Sequence, residues 1–119
     1  MNIVNLEGVK IAGICSCVPA RSEDNLARCT EVYGSAAKAA SVIKAIGIKS
    51  RRVLSKGVTT LDLSIAAAKD LLANSNTEPD DIGAIIYVTF TPERQMPCNA
   101  CMVQKILGVD KNVVAFDLN

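Results

Sequence analysis

The spacing of apolar positions changes several times along the chain, and each change marks an element. Val9, Ile11, Gly13, Cys15 and Cys17 alternate over residues 9–18. That is the period of a strand, and Pro19 ends it. Residues 20–25 are polar and loop-like, with Asn25-Leu26 opening a short helical turn. From Glu31 to Ile46 the spacing lengthens, and Val32, Ala36, Ala39, Ala40, Ile43 and Ile46 recur three and four residues apart. This predicts one helix, with Gly47 as its C′ residue. Residues 48–54 alternate roughly and read as extended, and residues 55–58 read as a turn.

In the second half, Thr59 stands three residues ahead of Asp62, a weak relative of the capping box. Leu61, Ile65, Ala68 and Leu72 form the stripe of a helix reaching about Leu72. Glu78-Pro79-Asp80-Asp81 predicts a turn. Residues 82–90 are apolar on both faces, the mark of a central parallel strand. A loop leads to Pro97, which opens a helix through Leu107, with Gly108 at its end. Asp110-Lys111-Asn112 turns into a last strand, residues 113–119, again apolar with hardly a break. Residues 82–119 therefore make one strand–helix–strand unit, with a right-handed crossover expected. The last strand organises the rest. A core strand normally exits into another element, and the expected one is a helix that begins with the residue doing the chemistry. On that reading residues 1–119 are one incomplete α/β half-domain, the front of an enzyme whose second half lies elsewhere.

Composition narrows the class. The chain has 119 residues, 50% hydrophobic and 21% charged, which suits a globular core rather than a disordered chain. Phe90, Phe116, Tyr33 and Tyr87 are the aromatic residues, so the core is aliphatic. A net charge of +1 gives no reason to expect a nucleic-acid or anionic-membrane partner. No apolar run approaches the length of a transmembrane helix. The first seven residues lack the basic and apolar segments of a signal peptide, so a cytoplasmic location is the default. There the five cysteines stay reduced, and an odd count argues against a complete disulfide framework. No G-x-G-x-x-G or P-loop is present, and no cofactor is expected.

The order and spacing of several short motifs carry a resemblance. They are Ile11-Ala12-Gly13 with Val18-Pro19 and Asn25, then Gly47-Ile48-x-x-Arg51-Arg52. Thr60-x-Asp62-Leu63 with Ala66-Ala67, and Asp81-Ile82-x-x-Ile85-Ile86, follow in turn. Pro97-x-x-Ala100-x-x-Val103-Gln104-x-x-Leu107-Gly108 and Phe116-Asp117-x-Asn119 complete the series. From about Val9 onward the chain resembles the amino-terminal part of β-ketoacyl-acyl carrier protein (ACP) synthase III, of the thiolase-like superfamily. The resemblance implies half of a thiolase-like layered domain, a mixed sheet flanked by helices. It implies an acyltransferase of fatty-acid or related synthesis, which joins an acyl thioester to malonyl-ACP by decarboxylative Claisen condensation. ACP, an acyl-CoA or acyl-ACP donor and a second copy of the parent chain are the implied partners. In the family the catalytic Cys follows Phe-Asp-x-Asn within three residues, just beyond Asn119, and a His and an Asn of the second half assist. This chain has no His, so alone it is expected to be inactive.

Two departures bear on the substrate. Family members that use acetyl-CoA carry an aromatic residue and an Arg where Ser41 and Ala45 stand here, which puts CoA as donor in question. Met96 stands where the family often places a Phe that crosses into the partner's acyl pocket. Arg51, Met96 and Asn119 are the candidate substrate-binding residues, and no residue of the chain itself is assigned as catalytic or metal-binding. Blander roles stand beside these. Arg51 and Arg52 could be an ion-pair partner and a solvated charge, Met96 a loop-packing residue, and Asn119 an orienter of the loop. Asp117, in an apolar strand, needs a partner if buried, and a structural hydrogen bond is favoured over catalysis. Cys98-x-x-Cys101 and Cys15-x-Cys17 read as small core residues, with a four-thiolate zinc site or dithiol redox chemistry as alternatives. Two other functions stay open. One is a non-catalytic half-domain pairing with a second chain; the other is an acyltransferase or hydroxymethylglutaryl-CoA synthase-like member of the superfamily.

Overall fold

The computed structural model describes residues 7–119. The amino-terminal stretch read above as lacking a signal peptide lies largely outside them, through residue 6. The chain divides into two compact units, one formed by Cys17–Leu63 and the other by the residues up to Ser16 with Ser64–Asn119.

In the first unit, strand β1 (Ser22–Asp24) pairs antiparallel with β2 (Ser50–Arg52), placing Glu23 opposite Arg51. Helices α1 (Asn25–Tyr33) and α2 (Ala36–Ile46) lie between them in sequence and pack on each other. The sequence predicts a loop at residues 20–25 and one helix over residues 31–46, and both expectations are corrected. Asp24 ends β1 and at once caps α1, its carboxylate accepting from the Leu26 N–H at 2.6 Å. Asn25 ties that start to the chain before β2, donating from its side chain to the Ile48 carbonyl and from its backbone to Lys49. The helical pattern is cut at Gly34-Ser35. Gly34 takes a left-handed φ of 65°, which only glycine adopts cheaply, and Ser35 caps α2 through its hydroxyl. The apolar positions keep their spacing across the cut, so periodicity alone joins two helices into one.

Helix α3 (Thr60–Ala73) runs from one unit into the other. Its start is the box the sequence predicts. Thr59 donates from N–H and hydroxyl to Asp62, at 2.9 and 3.0 Å, and its hydroxyl accepts from the Asp62 N–H. Beyond it the turn at Glu78 forms as a 3-10 turn over Pro79–Asp81, the Glu78 N–H donating to the Asp81 carboxylate.

The second unit is built on β3 (Ala84–Val88), α4 (Asn99–Leu107) and β4 (Val114–Leu118). The strands pair in parallel, Ala84 opposite Val114 through Val88 opposite Leu118, with α4 against both. This is the predicted strand–helix–strand unit. Ala100, Val103 and Val109 are its buried apolar residues. Burial is one-sided. The face carrying Ile85, Tyr87, Ala115 and Asp117 is half-covered, since Tyr87 meets Ser64 of α3 at 3.0 Å and Asp117 meets the start of α4. On the other face Ile86 is 56% exposed and Val88 72%. The apolar sequence predicts cover on both faces, and the described residues cover one.

Residues 9–18, predicted as the first strand, form none. Val9, Ile11, Ile14 and Val18 stay exposed. Alternation supplies a strand with a face but not with a neighbour, and no ladder among the described residues takes up this stretch. Gly13 lets it approach α3 closely, because a Cβ there would stand 2.9 Å from Leu71 Cδ1. Among the described residues antiparallel and parallel pairing both occur, in two separate two-stranded ladders. No helix among the described residues is long and apolar enough to cross a membrane.

Candidate functional site

The carboxyl ends of β3 and β4 lie at one edge, because the strands are parallel. In open α/β sheets that edge is where loops and helix N-termini collect and where ligands bind. Here the chain leaving β3 carries Met96 and leads into α4, and the chain leaving β4 carries Asn119.

Asp117 joins strand and helix. Its Oδ2 accepts from the Asn99 N–H at 2.9 Å and its Oδ1 from the Ala100 N–H at 2.7 Å. Both donors belong to the first turn of α4, whose N–H groups have no partners within the helix. A carboxylate there also meets the positive end of the helix dipole. The structural hydrogen bond expected of Asp117 is therefore present, and it is made twice. At the opposite end of α4, Gln104 donates to the Asp110 and Val113 carbonyls at 2.7 and 2.9 Å, fixing the turn into β4. Gln104→Ala removes both bonds and is expected to destabilise the second unit by about 1–3 kcal/mol, read as a lowered urea midpoint.

Cys98 is the N-cap residue of α4 and uses no side-chain cap, its place being taken by Asp117. Its Sγ donates to Cys101 Sγ at 3.4 Å. That contact, with burial and the nearby Cys98 and Asp117, holds the Cys101 thiol above its ordinary range. Among the described residues no three or more of His, Cys, Asp and Glu are grouped to hold a metal ion. Asn99 is fully buried, and its side-chain nitrogen and oxygen meet no partner among the described residues. Sequence reasoning does not single it out, because an Asn after an N-cap position is ordinary until its burial is known.

No protein-family model matches the chain. Over 118 residues it is 32% identical to β-ketoacyl-acyl-carrier-protein synthase III 2 of Halalkalibacterium halodurans, covering 98% of this chain and 34% of that one. It is 44% identical over 72 residues to the synthase III of Natranaerobius thermophilus, covering 60% of this chain and 22% of that one. The crystal structure of a 3-oxoacyl-acyl-carrier-protein synthase from Burkholderia xenovorans matches 92% of this chain, with a TM-score of 0.84 and 34% identity, over 31% of its own length. The chain matches part of a β-ketoacyl-ACP synthase III. Its fold is the corresponding part of that thiolase-like fold. The chain spans about a third or less of the length of the curated synthases it matches.

The three candidate residues of the synthase III-like chain have different settings. Arg51 lies in β2 of the other unit and pairs with Glu23 at 3.5 Å, with its side chain 48% exposed. Glu23 also pairs with Arg21 at 2.9 Å, and Arg52 donates to the Ala20 carbonyl at 2.6 Å. Met96 is 86% exposed, just ahead of Pro97, and Asn119 is exposed just past β4. Met96 and Asn119 thus share the carboxyl edge of the second unit's sheet, and Arg51 belongs to the first unit.

Proposed function

We propose that this chain is the amino-terminal part of a 3-oxoacyl-ACP synthase III that condenses an acyl thioester with malonyl-ACP. The single observation carrying the reading is the 34% identity and 0.84 TM-score to a 3-oxoacyl-ACP synthase. The nucleophile is a Cys just beyond Asn119, where β4 exits toward a helix. A cysteine at such a junction meets a positive helix end and free N–H groups, both of which favour its thiolate. The thiolate attacks the donor's thioester carbonyl, forming an S–acyl bond and releasing the carrier thiol. Malonyl-ACP then loses carbon dioxide, and its carbanion attacks the acyl-enzyme carbonyl, expelling the cysteine thiolate and leaving 3-oxoacyl-ACP. With no His in the chain, the groups that assist decarboxylation come from the second half, and these 119 residues alone are inactive.

Arg51 reads the phosphate of the carrier arm, and its half-exposed side chain, held by Glu23 only at 3.5 Å, supports that role. Met96 borders the acyl site of a partner subunit in a homodimer, and its exposure and flexible thioether suit an irregular or long chain. Asn119 orients the loop that carries the nucleophile and touches substrate. Ser41 and Ala45 in α2 offer neither ring nor cation, which favours a donor other than acetyl-CoA. The parent protein is cytoplasmic.

The test is to sequence the gene past codon 119 and express the whole reading frame. The product is incubated with malonyl-ACP and a panel of acyl-CoA and acyl-ACP donors, and 3-oxoacyl-ACP is followed by mass spectrometry. A Cys within three codons, and condensation by the long product but not by residues 1–119, are expected. A stop codon directly after Asn119, or a long product that takes up no acyl group, overturns the reading.

A further inference from the structure

Two sulfurs stand in contact at the start of α4, Cys98 Sγ donating to Cys101 Sγ at 3.4 Å, and both thiols are free and partly exposed. The C-x-x-C spacing alone does not produce this contact. Three residues apart within a regular helix, Cβ atoms lie about 5–6 Å apart, against about 3.8 Å in a disulfide. Cys98 escapes that limit because it sits outside the helix, in an extended conformation with φ −66° and ψ 161°. It is also released from the usual duty of an N-cap side chain. Asp117 reaches across from β4 to take the N–H groups of Asn99 and Ala100, so the Cys98 sulfur is left to turn toward Cys101.

We propose that Cys98 and Cys101 form a redox-active dithiol that closes reversibly to an intramolecular disulfide by exchange with a small-molecule disulfide. The proposal goes beyond the condensation reading and does not depend on it. In the first step the Cys98 thiolate attacks one sulfur of the small disulfide. That S–S bond breaks, the departing thiolate takes a proton from water, and a mixed disulfide remains on Cys98. Cys101 then loses its proton to solvent and attacks Cys98 Sγ, expelling the second small thiolate. Two protein thiols are oxidised and one small disulfide is reduced to two thiols. Cys101, whose thiol is held above its ordinary range by its contact with Cys98 and by burial, takes the resolving step. The 3.4 Å contact shortens to a bond of about 2.05 Å beside a helix start that Asp117 holds in place.

The 119-residue chain is equilibrated with reduced and oxidised glutathione at a series of ratios, quenched with an alkylating agent and digested. The peptide spanning both cysteines is then weighed. Loss of two hydrogens from that peptide, with no glutathione adduct retained and with Cys29 alkylated over the same ratios, is the expected result. In Cys98→Ser and in Cys101→Ser the remaining sulfur should instead keep its glutathione. Phenylarsine oxide gives an independent reading, because it condenses with two neighbouring thiols and releases water. It should add once to the Cys98–Cys101 peptide of the unsubstituted chain and to neither variant's. A stable glutathione adduct at Cys98 or Cys101 in the unsubstituted chain overturns the proposal. So does oxidation of the pair no more readily than Cys29, or failure of the arsenical to bridge the two sulfurs.

Discussion

Asp117→Ala is expected to remove about 2–4 kcal/mol of stability from the unit containing β3, α4 and β4. The variant loses two charge-assisted hydrogen bonds, at 2.9 and 2.7 Å, each of a kind worth about 1.5–3 kcal/mol before losses are shared. Loss of a helix cap in other proteins costs about 0.5–2 kcal/mol. The two bonds are themselves the cap, so the terms describe one loss and the figure lies between a single cap and the full pair of bonds. Cys98, at the N-cap position, makes no side-chain cap of its own. Urea titration followed by circular dichroism reads the change as a lowered midpoint with an unchanged slope. Asn99→Ala is the internal contrast. Asn99 is as buried as a side chain can be, yet its amide has no partner among the described residues. Removing it relieves an unsatisfied polar group while leaving a small cavity, and a change within about 1 kcal/mol is expected. If Asp117→Ala shifted the midpoint no more than Asn99→Ala, Asp117 would not be the cap described here.

The second large effect is on association. Ile86 and Phe116 are register partners on the uncovered face of the parallel pair, 56% and 40% exposed, with Val88 and Leu118 beside them. Phe90, just past β3, is 94% exposed. A contiguous apolar face of this kind drives self-association, so the 119-residue chain is expected to associate with itself as concentration rises. Ile86→Lys with Phe116→Glu places opposite charges across the ladder and removes two large apolar side chains. Each is worth about 1.5–3 kcal/mol when buried, so the concentration needed for association should rise at least about tenfold. Size-exclusion chromatography with light scattering measures this, and circular dichroism checks that the ladder survives. A clean monomer at high concentration from the unsubstituted chain would contradict the expectation.

Much of the fold is legible in the residues themselves. Thr59 and Asp62 announce the start of α3, Gly47 the end of α2, and Pro79 the 3-10 turn, because caps and turns are satisfied by residues only a few positions apart. The apolar runs around β3 and β4, with a helical period between them, point to a parallel pair, since a helical crossover joins parallel strands. The short motifs from Ile11 to Asn119 point to the same family that the comparisons reach.

What is not legible depends on partners distant in sequence. Ser22–Asp24 carries no apolar pattern at all, and it becomes a strand because it meets Ser50–Arg52, within the stretch that does read as extended, and pairs Glu23 with Arg51. Residues 9–18 carry a strand's alternation and are not one, because no strand lies beside them among the described residues. The sequence shows that Asp117, within an apolar strand, requires a partner. It cannot show that the partner is the first turn of α4, since that depends on where the crossover sets down the helix. Nor can it show that this transfer of the capping role frees Cys98 to meet Cys101. Local signals, apolar faces and the family are all readable from the residues. Tertiary structure decided which polar atoms meet, because a hydrogen bond acts over about 3 Å, a proximity that residues 17 or 18 positions apart acquire only when the chain folds.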